Sequence, residues 1–590
     1  MAQIVPTNTD LSTAVEAPGA YAKIVQAGAG SNSGDLDRRV LFVGARGASG
    51  TGALNSPVRV VGRAQAIGAA GSAGTDIVRA YDAMVSRAGS ATADTYFLMC
   101  NEPAGTNATR LITIAGPATS SGSIEAIICG YSASCQIQSG DTATTIGANL
   151  LAQIKQLPNV PVDMSASTAT AGAIVLQYLQ KGITGLDFPI IVNLIGAAGV
   201  TASPGTVQIT HASTGDGAIS VNVGAQTIPT TFTGVNAVGV IAASVNANIN
   251  AGGYPVTSTV ATDTVTLYYV PGRVVNLIQV PTPTGGVTAA VTVGTQPDPT
   301  SSTERPVLTT ALANMAAQVN AYRLWVSVYS HATPIGALAT HIEAQFNGLV
   351  QKDQFLHFGS TSALTVAGAI PTTSSPNLTT LQRYNLAFCP DSPQQGYEHA
   401  ARDAGCVIGQ DYYPHNYDGE TLTADPSQTI PLMLPHPAVR LSTTDRELAM
   451  HTYGMTPHIV DETTNTLLVQ KGRTTWVGPD DGSRDWGMQQ HLSFIRVRMR
   501  FVGGNAIKGR NIRKTGTPHT ANVVTLDTIR NALIGEAFRL DGLDLFDGAK
   551  QWAATFQLGF NPSVPSRVDA FVPAALVRPI HQFGLVVAPV

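Results

Sequence analysis

The chain has 590 residues, a length that implies several separate cores. Hydrophobic residues make up 44% and charged residues 12%, about half the usual charged share, and the net charge of −4 excludes the basic footprint of a nucleic-acid binder. The longest apolar runs fall short of a membrane span, so direct membrane insertion is not expected.

So little charge suits a subunit that spends its life packed against copies of itself better than a free monomer. The five cysteines, Cys100, Cys129, Cys135, Cys389 and Cys406, are odd in number and contain no C-x-x-C, so they read as reduced thiols. The start, MAQIVPTNTD, has neither a basic nor an apolar leader region, so no signal peptide is expected.

In chain order, residues 1–35 read as an N-terminal arm, with Ile4 and Val5 as its apolar contact residues. GAGSNSG at Gly28–Gly34 has a superficial likeness to a dinucleotide loop. It lacks the preceding strand and βαβ spacing, and reads as a turn. Residues 36–110 give a strand at Val40–Val43, a helix at Asp76–Ala88 and a strand at Thr95–Cys100. Next come two similar units, 111–196 and 197–300, offset by about 94 residues. Gly122-Ser-Ile124 matches Gly217-Ala-Ile219, Gly130 matches Gly224, Pro161-Val162 matches Pro255-Val256, and Gly182 matches Gly272. Each reads as a hairpin, one helix (Ile146–Leu157, then Val238–Asn250) and two further strands, around Val162 and Ile174–Leu179, then near Val256 and Thr264–Tyr269. That is a small α+β sandwich used twice. Neither copy clusters His, Cys, Asp or Glu, which favours architecture over chemistry.

From 301 to 440, helices and strands alternate: helix Leu308–Asn320, strand Leu324–Tyr329, helix Ile335–Val350, strand Gln354–Phe358, strand Tyr384–Phe388 and helix Gln394–Ala404. The pattern predicts an α/β layer with a mainly parallel sheet, shared with residues 36–110, into which the two small units are inserted. Residues 441–564 form a C-terminal α+β domain. It holds a strand–turn–strand at His458–Val469, a helix from Asp485 to Val502 ending at Gly503-Gly504, and a helix at Leu526–Leu540 after Thr525. Residues 565–590 form a C-terminal arm. Between Val577 and Val587 an apolar residue recurs at nearly every second position, a strand pattern with no turn to fold it back. A lone strand must find a sheet, its own or a neighbour's, and Val577, Ile580, Phe583, Leu585 and Val587 are its candidate contact residues.

No catalytic, cofactor-binding or metal-ligating residues are assigned, and no cofactor is expected. There is no P-loop, H-E-x-x-H or G-x-S-x-G. His436, His451 and His458 fit no metal spacing and read as packing or surface histidines. His399 and Asp403, at i and i+4, read as a charge pair on a helix surface, with a catalytic pair as the alternative. Arg496 and Arg500 share a helix face and Arg498 points elsewhere. This reads as a helix with salt-bridged flanks, or alternatively as an electrostatic contact between subunits.

Four blocks carry a resemblance: RVLFVGARGASGTGALNSPVRVVGRAQA at Arg39–Ala66; ITIAGPATSSGSIEAIICG at Ile112–Gly130, with NVPVDMSAS; RLSTTDRELAMHTYGMTPHIVDETTNTLLVQKGRTTW at Arg440–Trp476; and the end, SRVDAFVPAALVRPIHQFGLVVAPV. In their order and spacing the chain resembles the contractile-tail sheath proteins of bacteriophages, most closely the phage Mu type. Two features depart from that pattern. Gln65–Gly74 is Ala/Gly-rich where such proteins carry a fuller Phe-Gly-x-Gly-Ser sequence, and Thr201–Pro297 looks additional, a decoration on the outside of a tail. The resemblance implies an α/β core called subtilisin-like for its fold, without protease activity. It implies a homo-oligomer of stacked rings whose terminal strands pair with sheets of adjacent subunits. The partners it implies are a tail tube protein, a baseplate and a tail terminator. The expected location is the virion tail, after assembly in the host bacterial cytoplasm. Contraction would drive the tube through the host envelope for genome delivery. The alternatives are the sheath of a phage-tail-like injection particle, or a hydrolase using the α/β core.

Overall fold

The computed structural model describes residues 39–571 except 89–93, 225, 277, 319–321, 347–351, 410–416, 423–429, 514–519, 521 and 562–567. Both expected arm contacts, Ile4 and Val5 at one end and Val577, Ile580, Phe583, Leu585 and Val587 at the other, lie outside the described residues.

The chain folds as a mixed α/β protein with several cores. The largest surrounds a sheet of eight strands in the order Pro57–Val60, Asp94–Cys100, Arg39–Ala45, Leu324–Ser327, Phe355–Ser360, Tyr384–Phe388, Thr456–Asp461 and Thr466–Val469. The two outermost pairings are antiparallel and the five between them parallel. A parallel sheet is covered on both faces, so its strands need apolar side chains at every position rather than at alternate ones. RVLFVGA, LWVS and YNLAF are buried throughout. The helices Asp76–Ala88 and Gly396–Gly409 pack on each other beside this sheet.

The chain leaves the sheet after Cys100 and returns at Leu324. Between these points lie two small units. In the first, Thr201–Ser203, Asn107–Ala115, Ala173–Lys181 and Thr168–Thr170 form one sheet. Tyr131–Ile137, Gly122–Ile128 and Ile190–Ile195 form another, with the helix Ala143–Ile154 alongside. The second unit lays out Thr288–Thr292, Gly205–His211, Thr264–Tyr269 and Val256–Ala261, then Gln226–Phe232, Gly217–Val223 and Ile278–Gln279, with the helix Val238–Ala251. Gly130 and Gly224, and again Gly182 and Gly272, take positive φ at equivalent turns. In the first hairpin both loop residues, Cys129 (φ 48) and Gly130 (φ 86), are left-handed, the geometry a two-residue turn needs to follow the strand twist.

Several boundaries differ from the sequence reading. Thr201–Ser203 closes the edge of the first unit's sheet by pairing with Thr113–Ala115, so the first unit extends past 196. Its helix starts at Ala143, three residues early, because Thr142 caps it by accepting from Thr145 N. The hairpin expected to open a C-terminal domain at 441 extends the main sheet instead. Thr456 and Pro457 pair with Ala387 and Phe388, and Val460, Leu467 and Val469 enter the main core. Helices at Arg63–Ala70 and Leu364–Thr373 were not expected.

The helix Trp486–Ile507 runs straight through Gly503-Gly504. A terminating glycine needs the left-handed conformation, and neither residue takes it. Gly503 instead faces the helix Leu526–Asp541, with Leu533 over it, and Gly504 is buried. Phe494, Ile495, Met499, Leu533, Leu540, Trp552 and Phe556 form the core of this C-terminal block. Among the described residues no helix is long and apolar enough to cross a membrane.

Candidate functional site

The C-terminal block ends in a two-stranded antiparallel sheet, Gln557–Phe560 with Val568–Phe571, running from Gln557↔Phe571 to Phe560↔Val568. Its position is fixed from one side. Trp552, on the helix Ala549–Thr555, packs edge-to-face with Phe546 at 5.5 Å and at a tilt with Phe556 at 4.8 Å, and Phe556 is the residue before the strand. Beyond the far end of the pair, Asn561 Nδ2 donates to Asp569 Oδ2 at 2.6 Å. Among the described residues the two strands pair with each other. The chain beyond Phe571 is the segment whose sequence has the strand pattern.

A second site is the joint between the eight-stranded body and the first small unit. Asp76 opens its helix and is fully buried. Tyr178 donates its hydroxyl to Asp76 Oδ1 at 2.5 Å, and the Tyr397 hydroxyl lies 3.0 Å from the same oxygen. Gln395 Nε2 donates to Tyr178 Oη at 2.7 Å. Gln180 accepts from Asp76 N (2.9 Å) and donates to Ala45 O (3.1 Å). One turn after Asp76, Arg79 forms an ion pair with Glu398 and donates to Asn159 O (2.6 Å) and Cys129 O (3.3 Å) in two loops of the small unit. Burial pushes the Asp76 carboxyl up to about 6 against the pull of the two tyrosine hydroxyls. Burial opposes the Arg79 cation most strongly, but Glu398 together with Tyr397, Cys129 and Tyr131 outweighs it, and the guanidinium stays charged. Burial brings the neighbouring Arg402 down to about 10, with Glu398 opposing. Nothing in the sequence flagged this cluster. Its only local signal is the i, i+3 pair Asp76 and Arg79 at the head of a predicted helix.

His399 and Asp403 are not a surface pair. Both are fully buried, and Asp403 is bonded not to His399 but to His458, which the Thr456–Asp461 strand brings across. His458 Nε2 lies 2.8 Å from Asp403 Oδ1, His458 Nδ1 3.0 Å from His399 Nδ1, and His399 Nε2 2.7 Å from Ser392 Oγ. Only one proton fits between the two Nδ1 atoms, so the tautomers are linked. With Asp403 ionised, His458 donates to it, His399 donates to His458 and Ser392 donates to His399. Burial, then His458 and Arg402, hold His399 far below its ordinary value and therefore neutral, while burial raises Asp403. Ser, His and Asp in a row invite comparison with a nucleophilic triad. Here all four side chains are 2% exposed or less, so the row offers no atom to a substrate and pins the Gly396–Gly409 helix to the sheet. Of the sequence trio His436, His451 and His458, the remaining two lie elsewhere: His451 pairs with Glu447 at 3.0 Å on the surface, and His436 caps Ala438 N beside Gly272. Among the described residues no three His, Cys, Asp or Glu side chains could hold a metal ion.

The Arg496, Arg498, Arg500 run divides by helix face. Arg496 (2.5 Å) and Arg500 (3.5 Å) reach Asp353, and Arg498 reaches Glu536 at 2.8 Å. The cations are engaged within the chain, as salt-bridged flanks. The five cysteines are free thiols, and burial pushes Cys389 and Cys406 up to about 12, which makes them unreactive.

No family model matches the chain. Over 187 residues it is 28% identical to the Mu-like prophage FluMu tail sheath protein of Haemophilus influenzae. The match spans 31% of this chain and 37% of that relative's length. Among solved structures, the chain is similar to a sheath tail protein from Desulfitobacterium hafniense (TM-score 0.39, 10% identity, 90% of this chain and 91% of the other). It is also similar to one from Listeria innocua (0.39, 9%, 89% of each) and to a chain of the anti-feeding prophage baseplate (0.32, 13%, 45% and 68%). TM-scores this low carry no argument on their own.

Proposed function

We propose that this chain is a structural, non-enzymatic subunit of a contractile phage tail sheath. It would polymerise around a tail tube in an extended, metastable state and shorten to drive the tube through a host envelope. The observation that carries this reading is the 187-residue similarity to a tail sheath protein. The geometry adds a place for the proposed link: a two-stranded sheet followed by a segment with a strand pattern. In the proposed assembly, Val577–Val587 and the N-terminal arm around Ile4 and Val5 add strands to sheets of adjacent copies. The eight-stranded body is read as the family's subtilisin-like core and the two small units as copies of one module, supported by their matching strand order. The tube, baseplate and terminator are the proposed partners.

No nucleotide is needed. Moving a two-state population from almost wholly extended to almost wholly contracted takes about 5.5 kcal/mol of differential stability, which small gains per subunit summed along a polymer exceed. The test is deletion of residues 575–590 followed by electron microscopy. The expected result is loss of hollow cylinders. Normal, contraction-competent polymers would reject the arm's role. A tube-bearing injection particle without a genome would favour the second reading, a phage-tail-like particle, which the same geometry serves.

A further inference from the structure

The two small units resemble each other in strand order but not in attachment. The first is held to the eight-stranded body by the Asp76, Arg79 and Glu398 cluster, by Lys181 N donating to Glu102 (2.8 Å), and by Ser330 donating to Asp187 (2.6 Å). The second has its own apolar core, from Val207 to Val287. Several of its hydrogen bonds run to the first unit. Ile190 and Val275 exchange backbone bonds of 3.2 and 2.8 Å, Tyr269 donates to Leu111 O at 2.9 Å, and Gly272 N donates to Asn193 at 2.7 Å. Toward the body it presents side-chain contacts: Val274 against Met433, Gly272 beside His436, and the buried Arg273 cation, which Asp391 of the body attracts against the pull of burial.

Its entry and exit are neighbours. Thr206 pairs with Thr292 across adjacent antiparallel strands, and a Cβ on Gly205 would strike Thr292 O. The flanks on either side are already tied down in the first unit, Thr201–Ser203 to Thr113–Ala115 and Thr295 to Thr109. A segment with a separate core, adjacent ends and flanks fixed without it has what a domain needs to fold alone.

We infer that residues 206–291 form an autonomously folding unit carried by the first small unit and dispensable to the fold of everything else. The first unit, clamped to the body, is not dispensable. This inference stands apart from the sheath reading, since it concerns folding alone.

The test has two arms. In the intact chain, native-state hydrogen exchange across a denaturant series should show amides of the Val238–Ala251 helix opening as a separate unit, while those of Ala143–Ile154 stay protected with Arg39–Ala45. A single common opening overturns the inference. In the second arm, residues 206–291 are replaced by two glycines joining Gly205 to Thr292. Exchange protection of the Asn107–Ala115 and Arg39–Ala45 strands should match that of the intact chain. Loss of that protection also overturns it. If the shortened chain keeps its protection but fails to form cylinders that the intact chain forms, the folding inference holds and the failure bears on assembly alone.

Discussion

Arg79 and Glu398 meet 319 residues apart in sequence, with both side chains fully buried. Arg79 comes from the part of the chain before the small units and Glu398 from the part after them. Arg79 also bonds to loops of the first unit, so one guanidinium fastens three stretches of chain.

Breaking such a pair costs more than the pair contributes, because the surviving charge is left buried. Glu398→Gln should therefore destabilise the chain by about 3–5 kcal/mol. Arg79→Met combined with Glu398→Met should recover part of that loss. Denaturant unfolding of the two variants beside the unchanged chain measures this. A double variant no better than Glu398→Gln would mean that the donors to Asn159 and Cys129, not the charge, carry the joint.

Asp76 predicts a pH dependence. Its carboxyl sits near 6 in the folded chain against 3.8 unfolded, so the folded state holds the proton more tightly. Its contribution is fully present below about 4 and is lost as pH rises through 6. A rise of about two units, at about 1.4 kcal/mol each, makes ionised Asp76 cost about 3 kcal/mol at neutral pH. Asp76→Asn keeps an oxygen for the Tyr178 hydroxyl and removes the charge. It should flatten the stability profile between pH 4 and 6, read from unfolding midpoints. An unchanged slope would assign the titration to another group.

The buried relay gives a positional prediction. His458→Leu leaves the Asp403 carboxyl and the His399 Nδ1–H without their partner, and each orphaned group costs about 1–3 kcal/mol. Ser392→Ala removes an end of the row and orphans only neutral groups, His399 Nε2 and the Gln394 N–H that donates to Ser392, at about 1 kcal/mol each, whereas the His458 variant strands a buried carboxyl. Thermal unfolding should rank the His458 variant well below the Ser392 variant. Equal losses would mean the row does not act as a unit.

These sites show where sequence reading reaches and where it stops. The parallel sheet was legible because VLFV, LWVS and YNLAF are largely apolar and show no alternation with charged residues, and the Asp76–Ala88 helix was legible to its ends. The relay was not, since His399 and Asp403 at i, i+4 look the same on a wet helix as on a dry one. What decides is His458, 55 residues beyond Asp403, placed by strand pairing. The strand Thr201–Ser203 was misassigned for a related reason: three residues carry no periodicity, and only its pairing with Thr113–Ala115 says which sheet owns it.

Two helical glycines make opposite predictions, and they separate a helix stop from a helix contact. At Gly503 a methyl group would meet Leu533 Cδ2 at 3.6 Å, ordinary contact distance. Glycine costs about 0.8–1 kcal/mol relative to alanine inside a helix, so Gly503→Ala should stabilise the chain by up to about that amount. Gly405, on the Gly396–Gly409 helix, is different. A methyl there would lie 2.8 Å from the Met84 carbonyl oxygen and 3.1 Å from Arg87 Cβ, so the Asp76–Ala88 helix would have to retreat. Overpacking of this kind costs about 1–3 kcal/mol, more than the gain in helix propensity, and Gly405→Ala should destabilise. The same retreat would pull Asp76 and Arg79 from Tyr397 and Glu398, so the Gly405 variant should also weaken the joint to the first small unit. Calorimetry of the two variants side by side tests the sign. If Gly503→Ala lowered the midpoint, the pair Gly503-Gly504 would be a site of close helix approach rather than a tolerated break in propensity.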